Sequence, residues 1–247
     1  MSAGPTCPGG GAERRAEIAA NLAAVERRIA TACADAGRDR AELTLVAVTK
    51  TFPAEDVGHL VALGVRDVGE NRDQEAAAKV TACRDAGVVD VVWHFVGQLQ
   101  RNKAGSVATY ADVVHSVDRL RLVGALDRAA ATAGRRPTAL VQVDLRDEPR
   151  DDGRGGAAPA DVVELAAAVA AADRLVLGGV MAVAPADGDP DVAFGRLAEV
   201  AGRLQNHHPD AVAVSAGMSG DLEAAVRHGA THLRVGSALL GSRPPLG

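Results

Sequence analysis

The sequence has little excess charge of either sign: 27 basic residues stand against 32 acidic ones in 247, a formal net charge of -5, and the basic residues form no stripe. A phosphate backbone would find no continuous positive surface, so nucleic acid is disfavoured as a partner. No apolar run approaches the roughly 20 residues that a membrane span needs. The opening "MSAGPTCPGG" lacks the charged and apolar regions of a signal peptide. A cytoplasmic protein with no membrane contact is expected. Cysteine is scarce too: Cys7, Cys33 and Cys83 are odd in number, far apart and without C-x-x-C spacing. Reduced thiols are therefore expected rather than a disulfide framework or a zinc site. His207 and His208 precede Pro209 with no third ligand in view, so no metal site is expected.

What is present is 47% hydrophobic residues, enough to bury a core. Residues 1–11 are Pro/Gly-rich and read as a disordered tail, and residues 12–247 read as one domain. Ile18, Leu22, Val25 and Ile29 recur at spacings of four, three and four, which predicts a leading amphipathic helix from Glu13 to Ala36. Short β-branched runs then alternate with helical patterns. The runs are Leu43 to Thr49, Asp67 to Gly69, Val91 to Val96, Val113 to Val117, Ala139 to Leu145, Leu175 to Val183, Val212 to Ser215 and Leu233 to Val235. This alternation predicts an α/β protein, a single (β/α)8 TIM barrel with an extra N-terminal helix; an open doubly wound sheet would give a similar string. The second run is the weakest strand. The stretch over residues 147–159 is the longest irregular one, a functional loop or a solvated insertion.

In a barrel of this kind, sites lie where the strands end. Lys50 ends the first, in "LTLVAVTKTFPAED", on the same side as Val46 and Val48. At the mouth of a barrel core, desolvation would lower its pKa and favour attack on a carbonyl. Across the mouth, "SAGMSGD" and "RVGSALLG" follow the seventh and eighth runs. Ser219 is a candidate N-cap there, and Gly236 and Ser237 could face an anion. A lysine and a phosphate cradle together point to a ligand with an aldehyde and a phosphate. Pyridoxal 5′-phosphate (PLP) fits, and so does a phosphorylated sugar in a Schiff-base aldolase.

"LVAVTKTFP", "GENRDQEAAAK", "WHFVGQLQRNK", "HSVDR", "GVMAVAP" and "SAGMSGDLEAAVRHGATHLRVGSALLGSRP" resemble, in order and spacing, the pyridoxal phosphate homeostasis proteins. That family shares its PLP-binding barrel (fold type III) with the N-terminal domain of alanine racemase. The resemblance covers Leu43 to Pro244. It implies that Lys50 forms a Schiff base with PLP, that Ser215, Ser219, Gly236 and Ser237 surround the phosphate, and that Asn71 and His94 line the pocket. It also implies Met181 beneath the ring and Arg234 facing the pyridine nitrogen. An arginine there stays charged and opposes protonation of the ring, so the site would hold the cofactor more readily than drive carbanion chemistry. Ala216, Gly220 and Leu240 depart from the family's usual residues without touching a proposed contact. In the long loop Arg154 stands where the family usually carries a lysine, and arginine cannot form an imine.

A PLP carrier without catalytic residues of its own, exchanging cofactor with the cell's pool or with PLP-dependent apoenzymes, is thus expected, and as a monomer. The main alternative is an amino-acid racemase, which needs an acid/base on each face of its planar intermediate. Alanine racemase supplies one from a tyrosine in a second domain. Here the chain stops after the eighth strand and its turn, and Tyr110, the single tyrosine, precedes the fourth strand, away from the expected face.

Overall fold

A computed structural model describes residues 8–146 and 155–241. After helix α1 (Pro8–Asp35), strand β1 (Thr44–Val48) opens an alternation of strands and helices. It continues through α2 (Ala54–Ala62), β2 (Asp67–Glu70), α3 (Asp73–Asp85), β3 (Val92–Phe95), α4 (Ala104–Tyr110) and β4 (Val113–Val117). Next come α5 (Leu120–Ala133), β5 (Thr138–Gln142), α6 (Val162–Ala170), β6 (Val176–Met181) and α7 (Pro190–His207). The alternation ends with β7 (Ala213–Ser215), α8 (Leu222–Arg227), β8 (His232–Val235) and the single turn α9 (Ser237–Leu240). The strands are parallel and close in sequence order, β8 pairing with β1 so that Val46 stands opposite Arg234. The expected barrel is therefore closed, and "DVGE", its weakest strand in the sequence, pairs on both sides.

Helix α1 reaches back to Pro8, into the stretch expected to be a tail. Proline is tolerated in a helix's first turn because its missing N–H is an orphan there. Residues 1–7 lie outside the described residues, as do Arg154 and most of the long loop. No helix among the described residues is long and apolar enough to cross a membrane.

Two interiors differ in chemistry. Between strands and helices, Leu45, Ala47, Val68, Phe95, Val114, Val141, Leu197 and Leu233 belong to one apolar cluster. Strands covered on both faces need such residues on alternate positions at least. The opposite positions face into the barrel, where Val46 and Val48 crowd Gly69. Around and below them the interior turns polar, with His94, His115, Ser215 and Arg234 all buried.

Candidate functional site

Where the strands end, a cavity of about 380 Å³ opens, lined among others by Lys50, Asn71, Met218, Ser219, Arg234, Gly236 and Ser237. Six of the nine residues singled out in the sequence (Lys50, Asn71, Ser219, Arg234, Gly236 and Ser237) meet on its wall. The other three do not. Met181 is buried on the wall of a neighbouring cavity of about 410 Å³. His94 and Ser215 lie deeper, inside the barrel. His94 precedes the end of β3 by one residue and pairs across with Gly69, which sinks its ring below the mouth. Gln98 and Lys103 border a third cavity, of about 480 Å³, that shares Asn71 with the first.

Lys50 is half-buried in a tight turn that α3 and β2 hold from behind. The carbonyl of Thr49 accepts from Lys79 Nζ at 2.6 Å and from the amide of Phe52 at 3.0 Å. The Thr49 hydroxyl donates to Glu70 Oε1 at 2.5 Å, and Lys79 forms a buried ion pair with the same carboxylate. On the other side of Lys50, the amide of Thr51 donates to Glu75. Thr51 itself sits at φ 70°, the left-handed region that a β-branched residue adopts only under constraint. Burial raises the Glu70 carboxyl above its ordinary range, against the pull of Lys79. This clamp is not legible in the sequence, because a lysine on a helix reads as solvated.

The opposite wall consists of the loops after β7 and β8. Gly217 has φ 87°, and a Cβ there would lie 2.6 Å from the Cβ of Ala225, so only glycine makes this turn. A Cβ on Gly236 would come within 3.3 Å of the Val48 carbonyl. The amides of Ser219, Gly220 and Ser237 donate to no carbonyl or side chain among the described residues. Asp221, accepting from the Met218 amide at 2.6 Å, takes the N-cap position expected of Ser219 and leaves Ser219 on the cavity wall. Helix α1 secures both loops. Arg28 donates to the Ser219 carbonyl at 3.0 Å, Arg14 to that of Leu240 at 2.9 Å, and Asn21 to that of Leu239 at 3.1 Å. The last two satisfy the carbonyl end of α9, which is too short to hold itself.

Arg234 closes the floor. Its Nη2 donates to the Ala182 carbonyl at 2.8 Å and its Nη1 to Ser215 Oγ. Burial lowers its pKa to about 10, which leaves it cationic at neutral pH. Tyr110 is buried, its hydroxyl 3.5 Å from Asp73, and burial raises its pKa further above the phenolic range. It does not line the cavity.

A lysine amine, small-residue turns with unengaged amides and hydroxyls, and a buried guanidinium make a donor set that fits a phosphorylated aldehyde. The volume suits a small ligand. Comparison with known proteins points the same way. Residues 20–244 match the family described as "Alanine racemase, N-terminal domain". The chain is 45% identical over 244 residues to a pyridoxal phosphate homeostasis protein of Mycobacterium tuberculosis, covering 94% of this chain and 95% of that one. It is 38% identical over 234 residues to the protein of the same name from Escherichia coli, covering 92% and 97%. Among solved structures, PipY of Synechococcus elongatus with PLP bound superposes with a TM-score of 0.78 at 33% identity, covering 91% of this chain and all of that one.

Proposed function

The chain belongs to the alanine racemase N-terminal domain family, and within it to the pyridoxal phosphate homeostasis proteins; on that premise we propose that it binds PLP through Lys50 and serves the cell's PLP homeostasis. The observation that carries this reading is the meeting of Lys50, Arg234 and the two small-residue loops on one cavity. The cofactor supplies an aldehyde that an amine can capture and a ring that can draw electrons from a bound amino acid.

The chain's own residues take complementary parts. Lys50 presents its amine from a turn fixed on both sides, by Lys79 and Glu70 at Thr49 and by Glu75 at Thr51. Ser219, Gly236 and Ser237 line the end suited to the phosphate, and Asn71 lies on the wall of the same cavity. Met181, buried on the wall of a neighbouring cavity that shares Val96 and Val183 with this one, takes the proposed role of supporting the ring from below, while Ser215 and His94 act beneath Arg234. Arg234, cationic and held in place, disfavours a proton on the ring nitrogen. That arrangement retains the cofactor while weakening its electron-drawing action, and it supports a carrier without catalytic turnover. A racemase would need a second acid/base facing the ligand, and Tyr110 is turned away against Asp73. The same reading makes the protein a cytoplasmic monomer of one barrel domain, opened by α1 from Pro8, that exchanges PLP with the cell's pool or with apoenzymes.

The test is the visible spectrum of the purified protein after PLP is added, before and after borohydride, with Lys50→Ala alongside. A yellow band that borohydride bleaches, and that the variant lacks, is the expected result. Absence of the band in the wild type would overturn the reading and direct attention to phosphorylated sugars. Rapid racemisation of alanine that depends on Lys50 would overturn the non-catalytic part alone.

A further inference from the structure

Behind Arg234 a chain of hydrogen bonds crosses the inside of the barrel. Ser215 Oγ, which accepts from Arg234, lies 2.9 Å from His115 Nδ1. His115 Nε2 lies 2.8 Å from His94 Nδ1, and His94 Nε2 lies 2.9 Å from Asp67 Oδ1. Five strands contribute one residue each: β8, β7, β4, β3 and β2. Asp67 is the first residue of its strand, so the chain starts at the cavity floor and ends toward the opposite mouth, where the aspartate side chain is 30% exposed.

Chemistry fixes the direction of every bond in it. A guanidinium only donates, an ionised carboxylate only accepts, and a neutral imidazole has one donor and one acceptor nitrogen. One arrangement satisfies all the contacts: the Ser215 hydroxyl donates to His115 Nδ1, His115 Nε2–H donates to His94 Nδ1, and His94 Nε2–H donates to Asp67. Both histidines are then neutral Nε2–H tautomers. A proton added at His115 would put a second donor on Ser215 and a second buried cation beside Arg234. Burial, His94, Arg234 and His232 all hold the His115 pKa well below its ordinary value, in agreement with the neutral form. The ring of His232 packs 6.3 Å and 6.4 Å from those of His94 and His115, but its Nδ1 pairs with Thr231 at 2.8 Å, outside the chain.

We propose that Ser215, His115, His94 and Asp67 form a polarised relay of positioning residues for Arg234: the carboxylate at the far mouth sets the tautomers, and the tautomers hold the guanidinium in one orientation beneath the ligand. The effect on PLP rests on the proposed function; the tautomers do not. Long-range 1H–15N correlation of the histidine side chains in the ligand-free protein, near neutral pH, is expected to show Nε2–H for both His94 and His115. In Asp67→Asn, which keeps the shape but adds a donor, His94 is expected to populate the other tautomer and the His115 nitrogens to shift with it. PLP affinity is expected to fall about two- to tenfold, the scale of one lost hydrogen bond. Asp67→Glu should restore the wild-type tautomers. An Nδ1–H tautomer at either histidine in the wild type, or a His115 spectrum indifferent to Asp67→Asn, would overturn the relay. If the tautomers behave as stated and PLP fails to bind at all, the relay stands and the PLP reading falls.

Discussion

The two walls of the cavity are supported in opposite ways. Behind Lys50 stands a buried ion pair, Lys79 with Glu70, reinforced at 3.6 Å by Glu75. Behind Arg234 stand two neutral histidines and a serine, with the balancing carboxylate placed at the far mouth. The first gives rigidity close to the reacting amine but leaves a severe defect if either charge is removed. The second keeps formal charge away from Arg234, which would otherwise lose its cationic isolation, but depends on imidazoles remaining unprotonated. One wall is sensitive to truncation, the other to acid.

Truncation has the larger expected effect. Lys79→Met leaves Glu70 buried without its cation, and breaking such a pair costs about 3–5 kcal/mol. Both side chains are almost fully buried, so solvent screening gives no discount. Urea denaturation at neutral pH should show this loss, and the double variant Lys79→Met/Glu70→Leu should recover a large part of it. A single variant as stable as the wild type would mean that the pair carries no structural weight and that the two walls are alike.

Acid comes next and separates the walls by sign. Burial, followed by His94, lowers the His232 pKa from 6.5 to about 4. Between those values the unfolded chain binds a proton that the folded chain refuses, so this contribution is intact above pH 6.5 and is lost as pH falls toward 4. The loss amounts to about 3 kcal/mol. His115 moves in the same direction. Glu70, raised by burial, moves in the other, because its folded form binds the proton more tightly and acidification stabilises it. Denaturation midpoints followed from pH 7 to pH 4 should therefore fall, and His232→Gln should flatten the decline. An acid limb unchanged in that variant would remove His232 from the account.

The sequence points to residues of both walls and hides the supports behind them. Seven of the eight strands were legible because a strand covered on both faces reads as a β-branched run bounded by turn residues, and the short "DVGE", with its one valine, was legible from its place in the alternation. Lys50 was legible only together with the small-residue loops after the seventh and eighth strands, because a lysine closing a strand is by itself an ordinary solvated residue. Depth was not. His94, His115 and Ser215 come together through the closure of the barrel, and no spacing along one strand states how far below the mouth a residue from another strand will sit. Lys79 was equally hidden. On α3 it occupies a buried position that a helical pattern would assign to an apolar side chain, and although its partner Glu70 stands only nine residues earlier, in the same "GENRDQEAAAK", the fold that turns the helix back over the end of β2 is not written in that spacing. Thr51 carried no sign of a left-handed backbone, since that conformation comes from the clamp and not from threonine.

That last residue supplies the smallest and sharpest test of the contrast. A non-glycine residue in the left-handed region costs roughly 1–2 kcal/mol, and the Thr51 hydroxyl is buried without a partner among the described residues. Glycine removes both penalties but loses roughly 0.5–1 kcal/mol more backbone entropy on folding. Thr51→Gly should thus be more stable than the wild type by about 0.5–1 kcal/mol. The same change loosens the turn that Glu75 fixes, so the amine of Lys50 samples more orientations and the PLP band should form more slowly. Thr51→Ala keeps the backbone strain and removes the hydroxyl and the methyl beyond Cβ, so it should leave the rate nearly unchanged. Strain serving the amine predicts stability and rate moving apart in Thr51→Gly. If the rate instead stays at the wild-type value while stability rises, the left-handed turn is a packing compromise, and the rigidity of the Lys50 wall comes from the Lys79 and Glu70 pair alone.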